Sequence, residues 1–148
     1  MAKAEQEAVI NLLEDDSMNT LYLNDSDLPL KRGEMMVQLK TLDQVMTEEG
    51  IEAIDLLKIN TEGADLDVLQ GASLALANER IRFIQVESGM NPFNDRHIPY
   101  HAFHDLMTHF GYLPFGLYEQ HLEWNGQARL RFVNAVFVCP SVGNSVHR

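Results

Sequence analysis

The sequence predicts an α/β fold: a mainly parallel sheet carrying an antiparallel strand pair at its carboxy-terminal edge. Three observations carry that prediction. Residues 54–60 form a nearly unbroken apolar run, the pattern of a parallel strand covered on both faces. An amphipathic helix pattern over 64–78 and a second apolar run over 81–87 follow directly, which makes a βαβ unit with parallel strands and a right-handed crossover. Asn125-Gly126, between the runs 112–119 and 130–138, marks a turn, so the last two strands read as antiparallel. The 148 residues suit a single domain, with a polar segment 1–34, an α/β core 35–140 and a polar tail 141–148.

Taken in order, 8–13 is a short apolar run whose length fits either a strand or a fraying helix. Asn, Asp, Ser, Pro and Gly make 24–33 a loop, and 35–40 a strand leading out of it. Thr41-Leu42-Asp43-Gln44 is a capping-box pattern, so a helix starts there; Gly50 stops it. In the helix over 64–78, Asp65 and Asp67 complement the dipole, and Val68, Leu69, Ala72 and Leu76 form the buried stripe. A further helix over 100–110 turns Phe103, Leu106, Met107 and Phe110 inward and ends at Gly111.

Charge narrows the partners. Eleven Lys plus Arg against 22 Asp plus Glu leave a net charge of -11, which argues against nucleic acid and against anionic membrane surfaces. No apolar run reaches the length of a membrane-spanning helix, and the first residues lack the layout of a secretory signal. A single cysteine, Cys139, fits a reducing compartment; the expected location is cytoplasmic.

Ligands of open α/β sheets bind outside the carboxyl ends of the parallel strands. That rule selects Asn60-Thr61-Glu62-Gly63 and Glu87-Ser88-Gly89, which open into one crevice. In the plainer reading, Glu62 caps the following helix and Gly63 serves a tight turn, with the glutamates solvated or paired to Arg96 or Lys58. Two glutamates at one crevice also fit the acid and base of a glycosidase. His97, in the long loop 89–99 after Glu87, is a candidate general base, set against an ordinary surface histidine. His101 and His104 lie one helical turn apart, but no accompanying Glu has zincin spacing, so no metal site is assigned.

The ordered pieces Thr41-Leu42-Asp43, Leu56-Leu57-Lys58-Ile59-Asn60-Thr61-Glu62-Gly63-Ala64-Asp65 and Val68-Leu69-Gln70-Gly71-Ala72 resemble the hallmark of the FkbM family of methyltransferases. Gln85-Val86-Glu87, the loop 94–99, Gly111-Tyr112 and 131–137 extend the resemblance, as does the early stretch 17–21. It implies a Rossmann-like class I methyltransferase fold that moves a methyl group from S-adenosylmethionine to a hydroxyl of a sugar, lipid or other small-molecule acceptor. Under that resemblance Asn60 and Thr61 contact the cofactor, Glu62 and His97 are catalytic, and Glu87 and Ser88 line the acceptor pocket. The family usually has Asp where Asn60 stands; Asn keeps the hydrogen-bonding shape and loses the charge.

No glycine-rich cofactor turn precedes Gly33, so the fold is expected to lack its amino-terminal half. An apolar sheet edge and face would then need cover, from another copy of the chain or from a complementing amino-terminal fragment. Beside the methyltransferase stand two alternatives: a non-catalytic interaction module that kept only the fold, and a paired-carboxylate hydrolase.

Overall fold

The computed structural model of the chain describes residues 6–25 and 27–143. Its first element is a two-stranded antiparallel sheet, β1 (Gln6–Leu13) against β2 (Lys31–Leu39), with Ala8 opposite Val37 and Ile10 opposite Met35. The run 8–13 is therefore a strand. Because β2 begins at Lys31, the expected division at residue 34 falls inside a strand and marks no boundary.

Helix α1 (Leu42–Glu48) starts at Thr41 with both halves of the capping box in place: the Thr41 hydroxyl accepts from Gln44 N, and the Gln44 side chain accepts from Thr41 N. The expected continuous helix over 64–78 is instead two helices, α2 (Asp65–Gln70) and α3 (Ser73–Ala77). The start of α1 causes the break. Gly71 O accepts from Asp43 N, which diverts it from the helical ladder, and the Asp43 carboxylate takes Leu74 N at 2.8 Å and Ala75 N at 2.9 Å. Asp43 thus caps α3 from another helix. Asp43→Ala strips both bonds, and a loss of about 1–2 kcal/mol is expected in urea unfolding.

The central sheet comprises β3 (Ile54–Ile59), β4 (Ile81–Gly89), β5 (Leu113–Leu122) and β6 (Leu130–Val138) in the order β3-β4-β6-β5. β3 and β4 are parallel, whereas β6 is antiparallel to both its neighbours, so three strands share one direction. The antiparallel pair is present at the carboxy-terminal edge, and its reversed member lies inside the sheet. β3 is an edge strand, with Leu56 56% exposed; the expectation of burial on both faces fails because no described element covers the sheet face that carries Leu56.

One core forms on one face. Ile84 and Val86 of β4 and Val133, Ala135 and Phe137 of β6 pack with Met46, Leu69 and Leu76, and with Phe103 and Met107 of helix α4 (Tyr100–His109). Tyr112 is fully buried and donates its hydroxyl to Ile81 O at 2.6 Å. Residues 141–143, expected as tail, belong to the short helix α5 (Pro140–Gly143); 144–148 lie outside the described residues. No helix among the described residues is long and apolar enough to cross a membrane.

Candidate active site

The carboxyl ends of β3 and β4 border a small polar cleft lined by Asn60, Glu62, Asp65, Glu87, Arg96 and His97, with Gly63 and Ile98 completing it. The β3–α2 turn is held by its own aspartate: Asp65 Oδ2 accepts from the Thr61 hydroxyl at 2.9 Å and from Gly63 N at 3.4 Å. The mouth of α2 is thereby filled by a carboxylate of the chain itself. Thr61 spends its hydroxyl on that contact, while Asn60 is exposed beside it.

Glu62 adopts a left-handed backbone at φ 50, followed by Gly63 at φ 112. For a residue with a Cβ, that conformation costs about 1–2 kcal/mol. The Thr20 hydroxyl secures it by donating to Glu62 O at 2.7 Å. Strain of this kind, held by tertiary contacts, recurs where a side chain must be aimed. Burial pushes the Glu62 carboxyl above the ordinary range; Arg96 and His97 pull it back, while Glu87 and Asp65 push it further up. Arg96 Nε stands 3.9 Å from Glu62 Oε2, and Arg96 Nη2 lies 3.6 Å from the buried Asp27.

Glu87 carries the opposite shift. A hydrogen bond from His97 holds its carboxyl below the ordinary range, outweighing burial. His97 Nε2 lies 3.1 Å from Glu87 Oε2. The other ring nitrogen, Nδ1, meets the Asn94 amide group, with Nδ2 at 3.0 Å and Oδ1 at 3.1 Å. Asn94 is buried, and its orientation follows from the backbone: Nδ2 donates to Arg131 O at 2.7 Å, and Oδ1 accepts from Arg96 N and His97 N. The Glu87 carboxylate only accepts, so Nε2 carries a hydrogen and donates it to Glu87. Both ring nitrogens are therefore engaged. The ring also stacks on Phe132 at 4.4 Å, and His121 stacks on the same ring at 4.3 Å.

Of the residues singled out from sequence, Asn60, Glu62, Glu87 and His97 meet in this cleft. Thr61 borders a second, apolar hollow with Ile10, Leu21, Val37, Ala64 and Val68. Ser88 is fully buried and absent from the cleft, because strand alternation turns it to the other side from Glu87. Sequence reasoning missed Asn94, Asp27 and Phe132. An Asn two residues before an Arg in a loop is a turn signal, which conceals its role as a hub. Phe132 lies in an apolar run, where alternation alone does not separate a core ring from one facing a site. Among the described residues no group of three or more His, Cys, Asp or Glu side chains is placed to hold a metal.

Comparison with known proteins adds independent findings. The family model described as the methyltransferase FkbM domain matches residues 10–114. A 2-O-methyltransferase, NoeI, of Sinorhizobium fredii (strain NBRC 101917 / NGR234) is 32% identical over 78 residues, which make up 53% of this chain and 31% of that protein. The match thus spans about a third of the relative's length. No solved structure matches the chain.

Proposed function

Since the chain belongs to the FkbM methyltransferase family, we propose that it transfers a methyl group from S-adenosylmethionine to a hydroxyl of a small-molecule acceptor, such as a sugar or lipid. The observation that carries this is the half-buried, strained Glu62 facing the Glu87–His97 pair across one cleft. The cofactor supplies an electrophilic methyl group on a positively charged sulfur. The cleft suits that charge, since its lining sets three carboxylates against one guanidinium. Asn60 and the backbone at Thr61 would hold the charged end.

Methylation of a hydroxyl releases its proton, and Glu62 accepts it. The raised affinity of its carboxylate for a proton favours Glu62 for that task. His97, with both nitrogens engaged, instead orients Glu87, which stays ionised and accepts a hydrogen bond from the acceptor. In-line positioning of the acceptor oxygen supplies most of the remaining rate. Incubation with methyl-labelled S-adenosylmethionine and hydroxyl-bearing acceptors is expected to yield labelled methyl ethers. Label in carboxylate or amine groups, with none in ethers, would refute the assignment.

The pH profile provides a second check. Proton acceptance requires ionised Glu62, so kcat/KM should fall on the acid side at a pH above the ordinary carboxylate value. Arg96 lowers the Glu62 pKa, so Arg96→Met should move that limb to still higher pH. A limb that stays put or moves down argues for a different base.

The central sheet also favours work in an assembly. Opposite its core face, Leu56, Phe83 and Phe115 lie together, Phe83 and Phe115 in edge-to-face contact at 5.3 Å, with Leu56 and Phe115 exposed. An apolar face beside the open edge of β3 is the kind of surface that a second copy or a complementing fragment covers. Light scattering behind a sizing column is expected to report a species larger than the monomer, or one that forms on adding such a fragment.

A further inference from the structure

The same end of the sheet carries a second cluster of side chains outside the cleft. Glu123, at the end of β5, is buried and accepts from Asn91 Nδ2 at 3.0 Å and Arg131 Nη1 at 3.1 Å, with Arg129 Nε 3.8 Å away. Those contacts, the Asn91 bond foremost, hold its carboxyl below the ordinary range. Each arginine lies under an aromatic ring: Arg129 is 4.3 Å from the centre of Phe93, and Arg131 is 4.5 Å from that of Trp124. Yet Phe93 is 69% exposed and Trp124 77% exposed.

Exposed aromatic rings lose the benefit of burial, and these two are fixed rather than left loose. A guanidinium backs each ring, a buried carboxylate anchors the guanidiniums, and Asn91 ties the Phe93 loop down by accepting Phe93 N at 3.0 Å and donating to Leu130 O at 2.6 Å. Two flat apolar faces, spaced by polar side chains, match a molecule with apolar ring faces and hydroxyl edges. A pyranose has that form. An acyl chain would instead need a continuous apolar groove. The rings also connect to the cleft: Asn94 Nδ2 donates to the backbone of Arg131 and meets His97 Nδ1.

We propose that Phe93 and Trp124, on their Arg129–Glu123–Arg131 support, form a carbohydrate-binding platform that presents a saccharide acceptor to the cleft. This rests on the methyltransferase assignment only for the word acceptor; saccharide binding stands independently. Trp124 is the sole tryptophan of the chain, so its fluorescence reports on the platform directly.

The experiment titrates the full chain, without methyl donor, with cellopentaose, maltopentaose and chitopentaose at millimolar concentrations, and with octanoate as the acyl probe. A saturable change in tryptophan emission with at least one saccharide is expected. Phe93→Ala keeps the reporter and should weaken that binding about tenfold. Trp124→Ala, followed by saturation-transfer NMR, should weaken it at least as much, and both variants should keep the far-ultraviolet spectrum, since both rings are exposed. No response to any saccharide, a response to octanoate alone, or unchanged affinity in both folded variants would overturn the platform. Saccharide binding, with no label passed to that saccharide in the separate assay with methyl-labelled S-adenosylmethionine, would count against the methyltransferase assignment and leave the platform standing.

Discussion

Glu62→Gln is expected to lower kcat about 100- to 10,000-fold while leaving the fold and thermal midpoint nearly unchanged. Gln is close to Glu in shape and keeps its hydrogen-bonding reach, but it takes no proton. The backbone strain at φ 50 and the Thr20 anchor on Glu62 O involve main-chain atoms, so the substitution leaves both intact. Glu62→Gly separates the two roles further. It removes the left-handed penalty and should raise stability by about 1 kcal/mol, yet abolish proton acceptance. Steady-state kinetics beside thermal unfolding checks both. A fully active Glu62→Gln enzyme would move the base elsewhere in the cleft.

Asn94→Ala is the second large effect, and it acts through the loop rather than the chemistry. The side chain bonds Arg131 O, Arg96 N, His97 N and the His97 ring from a buried position. Its removal leaves several polar groups unpaired, for an expected loss of about 2–4 kcal/mol in denaturant unfolding. His97 would lose the partner that holds its ring in place, and Glu87 its positioned donor. Asn94→Asp isolates that second consequence. An aspartate still accepts from both backbone amides, but it offers no donor to Arg131 O or to His97 Nδ1. A neighbouring carboxylate instead favours the doubly protonated ring. NMR of the His97 ring nitrogens should therefore show Nδ1 gaining a proton in Asn94→Asp. A loss of activity with an unchanged ring would show that Asn94 matters only for loop stability.

Much of the scaffold is legible because its signals are local. The capping box at Thr41, the Asn-Gly turn and the apolar runs of β3, β4 and β6 each follow from a few neighbouring residues. The broken helix and the bare face of β3 come from contacts distant in sequence. The helix breaks at Gly71 because Asp43, about thirty positions earlier, takes its amides; no propensity within 64–78 announces this. β3 reads as doubly covered because an apolar run does not say whether a second layer packs on its other face. In the site, the strand-end rule pointed to Glu62 and Glu87, which the fold brings to one cleft. Adjacent residues in a strand face opposite ways, however, so Glu87 reaches the cleft and Ser88 does not. Asn94 stayed hidden because a buried asparagine hub and an exposed turn asparagine look alike in sequence.

On the proposed function, the cleft between Asn60, Glu62 and Glu87 receives the charged end of S-adenosylmethionine. Amide chemical-shift mapping of the full chain tests it most directly. Millimolar S-adenosylmethionine should shift residues 60–63 and 87–97, and the neutral S-adenosylhomocysteine should shift them less, because the carboxylates favour the positive sulfur. Shifts confined to other parts of the chain, or equal responses to the charged and neutral compounds, would contradict it.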